Sequence, residues 1–390
     1  MSEHVNVRLF VLKFIPIGLI LVSVLAAIFF GEILVRFIVN PGDFLYATMV
    51  DDPILGQRIK PHTTGHDALG FRNKEVPDHA NVVAIGDSLT YGVSAPREGS
   101  WPHQLGDILH ETVYNMALGG YGPLQYLYLS EHDARQLRPK LLLVGFYFGN
   151  DLIDAYRLAH HSPYWKSWIE DNSADTHEAE EEQSSNAEPK KHFAKLRDWL
   201  SRHSVLYSML RVTIFPRLAL WEQDSLASLN SPESEMIWTD PAQPSIRTIF
   251  TPQERLSVQD LKSPSVREGL DITIRAFKSI KAEADAQGAK LIIILIPTKE
   301  RVYCRYLKGT NAQIPDTFIS LCSSEEQIKE RLIQAFIRNK IAYVDVTKAM
   351  ENETYQHVQL YPKDSDGHPL ATGYGVIART VYDTVHHLRQ

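Results

Sequence analysis

From residue 82 onward the chain repeats one pattern, a short apolar run without polar alternation followed by a longer segment with apolar residues at helical spacing. The runs are VVAI (82–85), VYNMA (113–117), LLLVGFYF (141–148), KLIIILIP (290–297) and IAYVDV (341–346). The helical segments are WPHQLGDIL (101–109), PLQYLYLSEHDARQL (123–137), VREGLDITIRAFKSIKAEADAQ (266–287), EEQIKERLIQAFIRNK (325–340) and GYGVIARTVYDTVHHLRQ (373–390). A strand that is apolar on both faces must be covered on both faces, and helices alternating with such strands supply the cover. The pattern predicts a parallel sheet in an α/β three-layer domain. Gly288 stands where the helix ending at 287 needs its cap.

Ahead of this pattern lies LFVLKFIPIGLILVSVLAAIFFG, Leu9–Gly31, apolar apart from Lys13. A helix of about 20 such residues crosses a bilayer core. The stretch reads as an uncleaved membrane anchor, with a cleaved signal peptide and a buried helix as alternatives. Arg8 before it and Lys13 near its start, against Arg36 after it, favour a cytoplasmic N-terminus, leaving the bulk of the chain periplasmic or extracellular. The chain then divides into an anchor (1–39), a stalk rich in Pro, Gly, Asp and His that folds back (40–80), and the α/β domain (81–390). An insertion over 152–265, too long for an ordinary crossover, interrupts that domain. Its acidic stretch 170–191 reads as disordered, and 193–221 returns to amphipathic helix.

Composition excludes some classes of partner. The net charge is −7, and eight acidic residues fall between Glu170 and Glu188; without them 39 acidic residues face 40 basic ones. Such a balance offers no polycationic surface for nucleic acid. There is no C-x-x-C pair, and the neighbours His160-His161 and His386-His387 lack ligand spacing, so no metal is expected. The two cysteines, Cys304 and Cys322, either close a loop in an oxidising compartment or remain free thiols.

Ligands of a doubly wound sheet bind outside the carboxyl ends of its strands. The first run ends in Gly86-Asp87-Ser88-Leu89, the second in LGGYG with Gly119, Gly120 and Gly122, and the third in FGND with Asn150 and Asp151. A serine, a backbone N–H and a side-chain amide are the inventory of a nucleophile with an oxyanion hole. The base would be a histidine held by an acid, and His368 in YPKDSDGHPLATGYG lies beside two aspartates, just before the last helix.

The order GDSLTYG, NMALGGYG, FGND and DGHP resembles the GDSL, or SGNH, hydrolase superfamily. The resemblance implies a flavodoxin-like α/β/α sandwich, no cofactor, Ser88 as nucleophile and first oxyanion donor, and Gly120 and Asn150 as further oxyanion donors. It also implies His368 as general base. The family usually places its acid three residues before the histidine, where this chain has Ser365; Asp366 is favoured, with Asp364 as the alternative. IPTKERVY (296–303) resembles a segment of membrane-anchored bacterial members near exopolysaccharide systems. Lys299 and Glu300 within it read as a solvated ion pair or as substrate ligands. Trp165, Trp168, Trp199, Trp221 and Trp238 read as sugar-stacking, core or membrane-interface residues.

Together these readings predict a membrane-anchored serine esterase that removes O-acyl, chiefly O-acetyl, groups from an envelope or extracellular polysaccharide. Its partners would be an acylated glycan, the membrane through residues 9–31, and envelope polysaccharide machinery. An O-acyltransferase using the same residues and a non-catalytic scaffold are the alternatives.

Overall fold

The computed structural model describes residues 2–45, 47–169, 191–213 and 235–389. Residues 170–190 of the acidic stretch, and Trp221, lie outside them. In chain order the elements are α1 (Ser2–Ile38), β1 (Met49–Asp52), β2 (Gly56–Ile59), β3 (Val82–Gly86), α2 (Ser88–Tyr91), α3 (Trp101–Leu109), β4 (Val113–Ala117), α4 (Pro123–Glu131), α5 (Asp133–Gln136), β5 (Leu141–Tyr147) and α6 (Asp151–His161). There follow α7 (Lys191–His203), α8 (Val205–Thr213), β6 (Met236–Thr239), β7 (Arg247–Phe250), α9 (Pro252–Ser257), α10 (Pro264–Ala286) and β8 (Lys290–Ile296). The last are α11 (Lys299–Lys308), α12 (Asp316–Arg338), β9 (Ala342–Asp345), α13 (Thr347–Tyr355) and α14 (Ala371–Arg389).

Contacts divide the chain into two compact units, Met1–Ala47 with Glu181–Ser228, and Thr48–Glu180 with Leu229–Gln390. In the first, Gly18–Ile38 of α1 is long and apolar enough to cross a membrane, with a mean hydropathy of 2.5 and none of it buried. The helix continues past Gly31, so Glu32 and Arg36 belong to it. Glu32 caps α8 from outside, accepting from the backbone N–H groups of Val205 and Leu206, each at 2.9 Å, and from the Ser204 hydroxyl at 2.8 Å. Those donors are orphans of the helix start, and a carboxylate there is favoured by the helix dipole.

The second unit holds a five-stranded sheet in the order β4-β3-β5-β8-β9, all parallel. Helices on both faces bury β3, β4 and β5 throughout, which is why these segments could be apolar without alternation. This is the α/β sandwich expected, in flavodoxin-like strand order. α11 and α13 are among the elements of its range that were not anticipated; the segment KERVYCRYLK is charge-rich, yet Lys299 and Glu300 are buried in it along with Val302, Tyr303 and Leu307. α12 also starts upstream of the expected helix and carries Cys322, which forms a disulfide with Cys304 of α11, Cα atoms 6.5 Å apart.

The stretch 40–80 is divided at residue 48, and its larger part is built into the second unit. β1 and β2 pair as an antiparallel hairpin. Buried Asp67 accepts from the N–H groups of Leu69 and Phe71 and from Tyr114 at 2.7 Å. Asn73 both donates to the carbonyl of Asn115 and accepts from its N–H, each at 3.0 Å. One side-chain amide thus takes the place of a neighbouring strand on the outer edge of β4, an edge that would otherwise present unpaired backbone groups. Likewise the expected insertion 152–265 is not separate throughout: α6, β6, β7, α9 and the start of α10 belong to the second unit. Of its tryptophans, Trp165 and Trp238 are buried in this core and Trp199 is exposed in the first unit.

At the carboxyl edge of the sheet, α2 lies against the strand ends. A Cβ on Gly145 would stand 2.3 Å from Thr90 Oγ1 but 3.7 Å from Thr90 Cβ, whereas a Cβ on Gly86 would stand 2.6 Å from Thr90 Cβ itself. Gly145→Ala should therefore cost roughly 1–3 kcal/mol by overpacking. Adding Thr90→Ala should recover most of that loss in Gly145→Ala but little in Gly86→Ala. Denaturant unfolding of the four variants tests this, and equal rescue at both glycines would show that α2 does not sit so close.

Candidate active site

Asp87 caps α2, its Oδ1 accepting the Leu89 N–H at 2.9 Å, and this sharp strand-to-helix turn presents Ser88 at the end of β3. Ser88 Oγ lies 2.8 Å from His368 Nε2. His368 Nδ1 lies 2.5 Å from Asp366 Oδ1, which also accepts the His368 backbone N–H at 3.0 Å. With Nδ1–H donating to the carboxylate, Nε2 is left to accept the serine proton. The second oxygen, Oδ2, takes a hydrogen bond from the Ser94 hydroxyl. Asp364 is exposed and accepts the Asp366 N–H at 3.0 Å; of the two candidate acids, Asp366 is the one brought to the imidazole.

The other strand ends converge beside this chain of contacts. After β4 the backbone turns through Gly120 at φ +82°, and a Cβ on Gly119 would stand 3.5 Å from Ser88 Cβ. After β5, Asn150 donates one amide hydrogen to Asp154 Oδ2 at 2.5 Å, and the second is not engaged among the described residues. Asp151 is fully buried, accepting from the Tyr147 N–H and the Tyr126 hydroxyl, each at 3.1 Å. Asp154 was not anticipated, although its place one helical turn after Asn150 is a readable signal; Ser94 carried none.

Lys299 and Glu300 correct the expectation of a solvated ion pair, since each is only 1% exposed. The Lys299 ammonium donates to the carbonyls of Ile249 at 2.6 Å, Asp366 at 3.0 Å and Asp364 at 3.2 Å. Three donors meet three acceptors, two of them in the loop that carries Asp366 and His368. Glu300 Oε1 accepts the Thr251 N–H at 2.9 Å. Both residues therefore hold the walls of the site together.

Burial governs most of the ionisation. It pushes Asp87 up to about 7, against the opposing Leu89 N–H and the His368 charge, and it pushes Asp154 up to about 6. Burial alone would raise Asp366 too, but the hydrogen bond and charge of His368, with help from Ser94, hold it at about 2. Burial lowers Lys299 to about 8.

No family model matches the chain, and no curated protein does. Among solved structures it is similar to a lipolytic protein of the G-D-S-L family from Desulfitobacterium hafniense, at 12% identity and a TM-score of 0.37 over 77% of this chain and 97% of that one. It is also similar to the acetylxylan esterase Axe2 from Geobacillus stearothermophilus, at 13% identity and 0.37 over 80% and 95%. A third similar structure is a GDSL-like lipase from Bacteroides thetaiotaomicron, at 12% and 0.35 over 79% and 88%.

Two outcomes follow from the loop carrying Asp366 and His368. Lys299→Met leaves the carbonyls of Ile249 and Asp366 without this donor, while that of Asp364 keeps the Ile249 N–H at 3.2 Å, at a cost of about 3 kcal/mol in unfolding free energy. Ester turnover should fall at least tenfold in kcat, and unchanged kcat would mean that the loop needs no such tie. For Asp366, the folded value of about 2 lies below the ordinary 3.8. Its carboxylate therefore contributes stability in full above about pH 4 and loses it as pH falls through about 2. Asp366→Asn should cost about 1–2 kcal/mol near neutrality, allowing for partial exposure, and this gap should close on acidification.

Proposed function

We propose that the protein is a serine ester hydrolase whose nucleophile is Ser88. The observation that carries this reading is the continuous line from Ser88 Oγ to His368 Nε2 at 2.8 Å and from His368 Nδ1 to Asp366 Oδ1 at 2.5 Å. Ser88 Oγ attacks the ester carbonyl while His368 takes its proton, and the imidazolium is stabilised by the Asp366 carboxylate. The oxyanion is held by the N–H groups of Ser88 and Gly120 and by the unused amide hydrogen of Asn150. As the intermediate collapses, His368 protonates the departing alcohol. It then takes a proton from the water that attacks the acyl-enzyme, and returns that proton to Ser88 Oγ as the acid leaves.

The substrate we infer is a short acyl group, acetyl above all, on a polysaccharide at the outer face of a membrane. The His368 and Asp366 side chains are 27% and 31% exposed. A site this open suits a small acyl group on a large carrier, because a long acyl chain needs an apolar cleft to cover it. Gly18–Ile38 supports anchoring at a membrane by its length and apolarity.

Fluorophosphonate labelling of the detergent-solubilised chain tests the nucleophile, and acetate release from an acetylated glycan tests turnover. Ser88→Ala should lose labelling entirely, and His368→Ala should lower turnover by roughly a thousandfold or more. Labelling that survives in Ser88→Ala would place the nucleophile elsewhere.

A further inference from the structure

α9 carries a cation that the reaction as described does not use. Arg255 is half-buried, and among the described residues its guanidinium makes no hydrogen bond and no ion pair. It stands against the loop that carries the acid and the base. A Cβ on Gly367, the residue between Asp366 and His368, would lie 3.2 Å from Arg255 Nη2 and 3.8 Å from its Cζ. The Tyr147 hydroxyl would be 3.4 Å from the same point, and this side chain also lies over Gly149, just ahead of Asn150. Arg255 therefore sits where the histidine loop meets the end of β5.

Of the nearby acids, Glu254 is exposed to solvent and the other two are held by other groups. Asp366 is taken up by His368 and Ser94, and Glu300 Oε1 by the Thr251 N–H. Glu300 Oε2 is buried without a hydrogen-bond partner, so the guanidinium does not turn to it even though the two charges interact. A planar fork of N–H donors with no partner, next to a catalytic loop, matches a planar oxyanion in geometry and charge.

Building on the hydrolase reading, we propose that Arg255 binds a carboxylate on the sugar that carries the ester, so that the substrate class is an acylated acidic glycan, a polyuronate. The surroundings favour a monoanion over a phosphate dianion. Glu300, Glu254 and Asp366 lie within electrostatic reach of Arg255, and they would repel a doubly charged ligand there more strongly than a singly charged one.

The test separates this proposal from the hydrolase reading by measuring binding without catalysis. Ser88→Ala in the full, detergent-solubilised chain is titrated calorimetrically with unacetylated oligogalacturonate, with a neutral oligogalactoside of the same length, and with a phosphorylated one. The oligogalacturonate should bind at least tenfold more tightly than the neutral sugar and more tightly than the phosphorylated one. Adding Arg255→Gln should erase the advantage. Arg255→Lys, which keeps the charge without the fork, should retain part of it and serves as the second variant if Arg255→Gln fails to fold. In the Ser88 chain, the ratio of kcat/KM for acetylated oligogalacturonate to that for the acetylated neutral sugar should fall at least tenfold in Arg255→Gln. Equal binding of acidic and neutral sugars, tighter binding of the phosphorylated one, or a preference that survives Arg255→Gln overturns the proposal. Loss of fluorophosphonate labelling specificity at Ser88 would instead overturn the hydrolase reading.

Discussion

A buried ammonium tolerates very few arrangements around it, and the one around Lys299 determines where the catalytic loop lies. Its three hydrogens are used on the carbonyls of Ile249, Asp364 and Asp366, so β7 and the loop ahead of His368 are held to the start of α11. α11 is itself anchored. Thr298 caps it through the Arg301 N–H, and the Thr298 hydroxyl donates to Glu325 of α12 at 2.6 Å. Burial raises Glu325 to about 7, in spite of the Thr298 hydrogen bonds that lower it. A run of buried polar contacts thus leads from α12 to the loop that orients the imidazole. In such surroundings an unmet donor or acceptor costs far more than a met one contributes, which gives the loop a single favoured position.

What was legible in the sequence depended on whether a signal was local. The five strands of the sheet were readable because burial on both faces leaves an unbroken apolar run, and the residues at the strand ends were readable because a parallel sheet gathers its carboxyl ends on one edge. Asp366 could only be ranked against Asp364 from spacing, since which of them reaches His368 depends on the carbonyls that Lys299 holds. Lys299 and Glu300 were misread for the same reason. Charged residues just after a strand are ordinarily solvated, and nothing nearby announces the distant loop that buries these two. Asn73 is the opposite case: a polar residue in a Gly- and Asp-rich stretch that looked like a stalk completes the edge of β4. Sequence distance hid the pairing, since a single side-chain amide leaves no periodic trace.

Several acids crowd the site, and their environments divide the work among them. Asp87 is adjacent to Ser88 and lies 3.4 Å from its hydroxyl, near enough to compete with His368 for the proton. It is fully buried, however, and burial raises it to about 7, so the ionised form that a base requires is disfavoured. Its Oδ1 is also occupied in capping α2. Asp154, raised to about 6, is occupied by the Asn150 amide, an arrangement that turns the remaining amide hydrogen to other use. Asp366 differs because it is partly exposed and accepts three hydrogen bonds, two from His368 and one from Ser94. It is therefore the carboxylate held below its ordinary value, at about 2. In the proposed mechanism a negative charge there stabilises the imidazolium formed on proton transfer. In the proposed hydrolysis, the burial that disfavours the Asp87 charge and the partial exposure that leaves Asp366 ionised mark one carboxylate to support the imidazole.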